Sequence, residues 1–60
     1  MVTGKDLVKL LGQNGWSLRR ITGSHHIMKK DDKILVVPVH GSDDVKPGTL
    51  NSILKKAGLK

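Results

Sequence analysis

Three strand-forming segments follow one another in the middle of the chain, with only short turns between them. They are residues 16–21 (WSLRRI), residues 25–30 (HHIMKK) and residues 34–39 (ILVVPV). Thr22-Gly23-Ser24 separates the first two, and the polar pair Asp31-Asp32 suits a tight hairpin between the last two. Connections this short predict three antiparallel strands. Pro38 cannot donate to a ladder, so its position must face an open edge or end the pairing.

Amphipathic helices flank these strands on both sides. Leucines at helical spacing after a capping-box pattern, Thr3 with Asp6, predict a first helix over about residues 4–13. Pro47 suits the first turn of a second helix, and Gly58 suits its end. The apolar stripe of this second helix is Leu50, Ile53, Leu54 and Ala57. The sequence therefore predicts one α+β domain over residues 1–60, in which both helices of an α-β-β-β-α order cover one sheet face and leave the other open.

Charge and composition limit the partners of such a domain. The formal net charge of +6 on 60 residues favours polyanions, and the absence of cysteine excludes disulfides and thiolate zinc sites. The chain shows neither a signal peptide nor an apolar run of membrane-spanning length, so we expect a soluble cytoplasmic protein. Trp16 is the single aromatic residue. A row of base-stacking platforms is therefore excluded, and we expect Trp16 in the core.

The adjacent histidines of the second strand must point to opposite sheet faces. Ile27 is β-branched and wholly apolar, so we expect it to face the helices, together with His25. His26 would then lie on the open face with Met28 and Lys30. The third strand offers no check on this assignment, because both of its faces are apolar.

An open-face histidine in a basic protein suits proton transfer on RNA. Imidazole has an unperturbed pKa of about 6.5, so it can accept or donate a proton at neutral pH. A deprotonated 2′-hydroxyl attacks the adjacent phosphorus, while Lys or Arg balances the growing charge. The alternative from spacing alone is that both histidines are ordinary polar residues beside a turn. A shared metal is disfavoured because the two rings point apart, and Ser24 lacks the surroundings of an activated nucleophile.

Four stretches in this order resemble the HicA-type (YcfA-like) toxins, which are small ribonucleases of bacterial toxin–antitoxin systems. They are GQNGW, GSHHIM, VVPVHG and KPGTLNSILKKAGL, and together they extend over nearly the whole chain. The resemblance implies a fold like that of double-stranded-RNA-binding domains and a metal-independent cut in messenger RNA, with no cofactor. It also implies a HicB-like antitoxin that covers the site. The catalytic histidine of the family pattern Gly-Ser-x-His corresponds to His26.

Basic residues near the hairpins are candidates for holding phosphates, although each of them can equally belong to a solvated basic face. The candidates for RNA binding are Lys29, Lys30, Lys33, Arg19, Arg20, Ser24 and Lys46. Lys46 precedes a helix N-terminus, whose free N–H groups favour anions. Two further functions stay open at this point. One is a non-catalytic RNA-binding module, and the other is a protein-interaction domain for an acidic partner.

Overall fold

A computed structural model describes residues 2–60 of the chain. These residues form two helices and three strands in the predicted α-β-β-β-α order. The elements are α1 (Gly4–Gln13), β1 (Ser17–Thr22), β2 (His25–Lys30), β3 (Lys33–Pro38) and α2 (Pro47–Lys56). The strands make an open antiparallel sheet in the order β1-β2-β3, as in double-stranded-RNA-binding domains. Within residues 2–60, neither helix is long and apolar enough to cross a membrane.

The capping box predicted at the start of α1 is present. The Asp6 N–H donates to the Thr3 hydroxyl and the Thr3 N–H donates to the Asp6 carboxylate, both at 3.1 Å. The hydrogen bond from the Thr3 backbone lowers the pKa of the Asp6 carboxyl below its ordinary value. At the other end, Asn14 caps the helix and Gly15 takes a φ of 92°. Both ends of α1 are therefore specified by residues close in sequence.

Helix α2 ends in a Schellman motif at Gly58, the residue that the sequence predicts for its end. Gly58 has a φ of 75°, and its N–H donates to the Lys55 carbonyl oxygen at 3.1 Å. The Leu59 N–H reaches back to the Leu54 carbonyl oxygen at 2.9 Å. These two bonds satisfy carbonyl groups that the helix itself leaves free.

Two tight turns set the register of β2. Gly23 and Ser24 connect β1 to β2, with a φ of 58° at Gly23, and Asp31 and Asp32 connect β2 to β3, with a φ of 54° at Asp31. Both strands that flank β2 are edges of the three-stranded sheet. Pro38 is the last residue of the edge strand β3, which agrees with the predicted place of this proline at an open edge.

The core lies between the helices and one face of the sheet. It consists of Leu7, Leu11, Trp16, Met28, Leu35, Val37 and Ile53. Trp16 is buried there, which confirms its predicted place. The prediction that Ile27 faces the helices is wrong, because Met28 pairs with the buried Leu35 and is itself only 2% exposed. The flexible thioether of methionine fills an irregular core position that the sequence pattern alone would give to isoleucine.

The segment before α1 is held against the loop that follows β3. The Val45 N–H donates to the Val2 carbonyl oxygen at 2.7 Å, and Thr3 forms an isolated antiparallel bridge with Asp44. Next to this bridge, Gly4 is buried against the end of β3. A Cβ atom on Gly4 would contact the Pro38 carbonyl oxygen and would lie 2.8 Å from the Val39 Cα atom. The first residue of α1 must therefore be glycine for the helix to approach the sheet this closely.

We expect opposite effects on stability from two alanine substitutions in α1. Gly4→Ala should lower the free energy of unfolding by about 1–3 kcal/mol, because the new methyl group meets backbone that must move. Gly12→Ala should raise it by up to about 1 kcal/mol, because alanine is the better helix former and a Cβ atom there meets no atom within 4 Å. Urea unfolding measures both. A Gly4→Ala protein as stable as the parent would contradict the close approach.

Candidate functional site

The open face of the sheet is defined by the register of the three strands. Residues paired across antiparallel strands share a face, so the pairs of the open face form three rows across the sheet. From the turn between β1 and β2 outward, the rows are Thr22–His25–Pro38, Arg20–Ile27–Val36 and Ser17–Lys29–Ile34. The opposite, helix-facing side carries Ile21–His26–Val37 and then Leu18–Met28–Leu35.

His25 lies on the open face, at the first position of β2. The sequence analysis predicted it on the helix side, and that prediction is wrong. Its side chain is exposed, and it lies between Thr22 of β1 and Pro38 of β3. Its neighbours on both strands leave the imidazole accessible to a ligand on this face.

His26 lies on the helix-facing side, so its predicted position on the open face is also wrong. It pairs with the fully buried Val37 on one side and with Ile21 on the other. The ring is half-buried, and its Nδ1 atom is enclosed without a hydrogen-bond partner among residues 2–60. The physical reason is the phase of β2, because Met28 rather than Ile27 enters the core and His26 follows Met28.

Two of the predicted phosphate-binding residues share the open face with His25. Arg20 occupies the next row on β1 and is exposed, and Lys29 occupies the third row on β2 and is half-buried. Residues two apart on a strand are about 6.6 Å apart, so one phosphodiester backbone can reach His25 and these cations in sequence. None of the residues in β1, β2 and β3 is an aspartate or glutamate. The charged residues on this face, Arg20 and Lys29, are therefore both basic.

Lys30 has a structural partner instead. Its Nζ donates to the Asn14 carbonyl oxygen at 3.0 Å, and its side chain crosses Gly15. The last turn of α1 contains no basic residue of its own. Lys30 therefore supplies the positive charge that stabilises the C-terminal end of that helix.

The remaining basic candidates lie away from the open-face rows. Lys33 pairs with Lys30 at the far hairpin, on the helix-facing side. Arg19 is the extra residue where the register between β1 and β2 shifts. The structure therefore brings Arg20 and Lys29 together with His25. Lys33 and Arg19 lie apart from this group.

Lys46 and Ser24 flank the His25 end of the sheet. Lys46 caps α2 without a side-chain hydrogen bond and lines a cleft of about 310 Å³ that Pro38 and His40 also border. Asp43 and Asp44 line the same cleft, so its charge is mixed. The Ser24 carbonyl oxygen accepts a hydrogen bond from Val39 at 2.7 Å, which fixes the turn before His25. Within residues 2–60, the acidic and histidine side chains form no group of three that could hold a metal ion.

The sequence analysis found both faces of β3 apolar but did not show which of its residues stay exposed. Ile34 and Val36, on the open face, are 55% and 48% exposed. The sequence analysis also missed one contact of this region. This is the contact from Lys30 to Asn14, which joins residues 16 positions apart and has no local sequence signature.

Comparison with protein families gives a match to the HicA toxin of bacterial toxin–antitoxin systems over residues 4–59. No curated protein matches the chain. The match extends over both helices and all three strands. The chain therefore belongs to the HicA toxin family of bacterial toxin–antitoxin systems.

Proposed function

We propose that this toxin is an endoribonuclease that cuts messenger RNA on the open face of its sheet. The observation that carries the proposal is the exposed imidazole of His25 in a row next to Arg20, on strands that contain no carboxylate. A phosphate backbone is attracted to such a surface, and an imidazole there can reach the ribose. We also propose that the protein acts in the cytoplasm, where messenger RNA is translated.

The reaction needs a proton acceptor and a counter-charge. In the proposed step the imidazole removes the proton of a ribose 2′-hydroxyl, and the resulting oxygen attacks the adjacent phosphorus. The bond from phosphorus to the 5′-oxygen of the next nucleotide breaks, and that oxygen takes the proton back from the imidazolium. Arg20 and Lys29 balance the negative charge that grows on the phosphoryl oxygens. The products are a 2′,3′-cyclic phosphate and a free 5′-hydroxyl.

Two lines of support favour different histidines as the catalytic residue. The family pattern Gly-Ser-x-His assigns the role to His26. The geometry favours His25, because the ring of His26 is half-buried beside Val37 with Nδ1 enclosed, whereas His25 is exposed among the open-face cations. A general base must come within hydrogen-bond distance of the proton that it removes. We therefore propose His25 as the catalytic residue.

Alanine variants of the two histidines form a matched pair. His25→Ala should lower the rate of RNA cleavage by about 10²- to 10⁴-fold and abolish growth arrest, because it removes general acid–base assistance. His26→Ala should retain cleavage and change mainly the thermal stability. Single-turnover cleavage of a labelled messenger RNA measures the rates, and thermal melts of both variants test whether each is folded.

Each other outcome has a distinct meaning. Loss of cleavage in His26→Ala alone would identify His26, the residue that the family pattern assigns, as the catalytic histidine. Full activity in both variants would rule out a histidine mechanism. Binding of RNA without any turnover by the parent protein would favour the non-catalytic RNA-binding module. Because the resemblance implies a metal-independent cut, we expect the parent rate to be unchanged in excess EDTA.

Lys29 and Lys30 offer a second matched pair, since they are adjacent but lie on opposite faces of β2. Lys29→Ala should weaken RNA binding and reduce the slope of log K against log salt by about 0.7, the value for one phosphate contact on a single strand. Lys30→Ala should leave this slope unchanged and lower the melting temperature, because it removes the bond to the Asn14 carbonyl oxygen. Titration with 2′-O-methylated RNA, which cannot be cleaved, measures both slopes. Equal slopes for all three proteins would count against phosphate binding by Lys29.

A further inference from the structure

The cleft of about 310 Å³ at the end of β3 adjoins the row of the sheet that contains His25. Pro38 lines this cleft and is also the residue that pairs with His25 across β2 and β3. His40 lines it too and is exposed, while Val39 between them packs against the core. The volume is in the range of pockets that hold small ligands. An RNA strand that reaches His25 therefore brings a neighbouring nucleotide to the mouth of the cleft.

The wall of the cleft that carries its two carboxylates is held by backbone contacts. The Asp43 N–H donates to the His40 carbonyl oxygen at 3.0 Å, and Asp44 forms the isolated antiparallel bridge with Thr3. Both acidic side chains are exposed and line the cleft. Their backbone positions are thus fixed by the fold, and a ligand in the cleft meets the carboxylates without a prior rearrangement of the loop.

The charges in the cleft suit a nucleotide better than a simple phosphate. Lys46 attracts a phosphate there, but Asp43 and Asp44 repel it. A nucleotide offers two kinds of group, because its phosphate is anionic and its base carries N–H donors. Carboxylates only accept hydrogen bonds, so they can bind the donors of a base while the lysine balances the phosphate.

Guanine is the base whose donors match a carboxylate. Its Watson–Crick edge presents the N1–H and the 2-amino group side by side, and the two oxygens of one carboxylate can accept from both. Adenine and cytosine place a ring nitrogen that is an acceptor next to their amino group. Uracil has one N–H between two carbonyl groups. In these three bases an acceptor would face the second carboxylate oxygen, and the two would repel each other.

We infer that the cleft holds the base of a nucleotide next to the scissile phosphate and that Asp43 and Asp44 select guanine there. The inference rests on the proposed ribonuclease activity, because His25 sets the position of the scissile phosphate. It gives the toxin a base preference that the cations of the open face cannot supply, since contacts to phosphate carry no information on sequence.

RNAs that differ in one base test the inference. Substrates randomised on both sides of the cut first locate the selected position, where we expect guanosine. The parent should then cut this RNA at least about tenfold faster, in kcat/KM, than RNA with inosine at that position, which lacks only the 2-amino group. RNA with 7-deazaguanosine, which is altered on the opposite edge of the base, should be cut at the guanosine rate.

Asparagine variants assign the preference to the cleft. Asp43→Asn and Asp44→Asn should each reduce the ratio of the guanosine rate to the inosine rate, and the double variant should bring it to about one, because an amide has a single acceptor oxygen. Each should bind 2′-O-methylated RNA at least as tightly as the parent, since a repulsive charge is removed. Asp32→Asn is the control. It makes the same change in net charge on an exposed residue of the turn at the far end of β2 and should keep the parent ratio.

Several results would overturn the inference. They are equal rates on guanosine and inosine RNA for an active parent, selection of another base, a ratio that survives in the double variant, and a ratio that is lost in Asp32→Asn. Thermal melts show whether each variant is folded. If Asp44→Asn is not, because Asp44 lies in the bridge with Thr3, Asp43→Asn alone decides.

Failure of the ribonuclease activity is a different result. An active parent without a base preference would contradict the guanine site and leave the ribonuclease activity intact. A parent that does not cut RNA would contradict the activity, and the cleft is then tested by the affinities of 2′-O-methylated RNAs with guanosine or inosine at each position. Tighter binding of guanosine that is lost in the double variant would support recognition of the base in the cleft, and equal affinities would contradict it.

Discussion

The structure depends on the register of the central strand β2, which is held between two tight turns. Gly23 and Asp31 supply the positive φ angles of these turns, and all six residues of β2 pair with β3. A slip of one residue would move every side chain of β2 to the other face. In the observed register Met28 joins the core, which places His26 on the helix-facing side and His25 on the open face. One backbone constraint thus decides both which side chains the helices cover and which histidine lies exposed on the open face.

The same register divides the basic residues by role. Lys30 turns toward the helices and stabilises the C-terminal end of α1, whereas Lys29 stays on the open face near Arg20 and His25. The helices cover only one side of the sheet, so the aliphatic residues that β3 carries on its other side remain exposed. The open face therefore combines positive charge, which suits a phosphate backbone, with apolar area, which suits a protein.

The fold could be predicted from sequence because its signals are local. The capping box of Thr3 and Asp6, the Schellman end at Gly58 and the hairpin turns each involve residues a few positions apart. The phase of β2 could not be predicted, because Ile27 and Met28 are both apolar and β3 is apolar on both faces. The alternation of β1 could not decide the phase either, because its register shifts between Leu18 and Arg20. This shift brings Leu18 and Ile21 to the same face although they are three residues apart. The position of the histidines was therefore decided by tertiary packing.

The most direct test of this account is to observe both imidazoles while RNA binds. Titration with 2′-O-methylated RNA, followed by NMR of the histidine ring protons, reports on each ring separately once His25→Gln and His26→Gln spectra assign the signals. We expect large shifts for His25 that saturate with binding and small shifts for His26, whose ring packs beside Val37. Large shifts for His26 with an unaffected His25 would contradict the claim that RNA is bound and cut on the open face of the sheet.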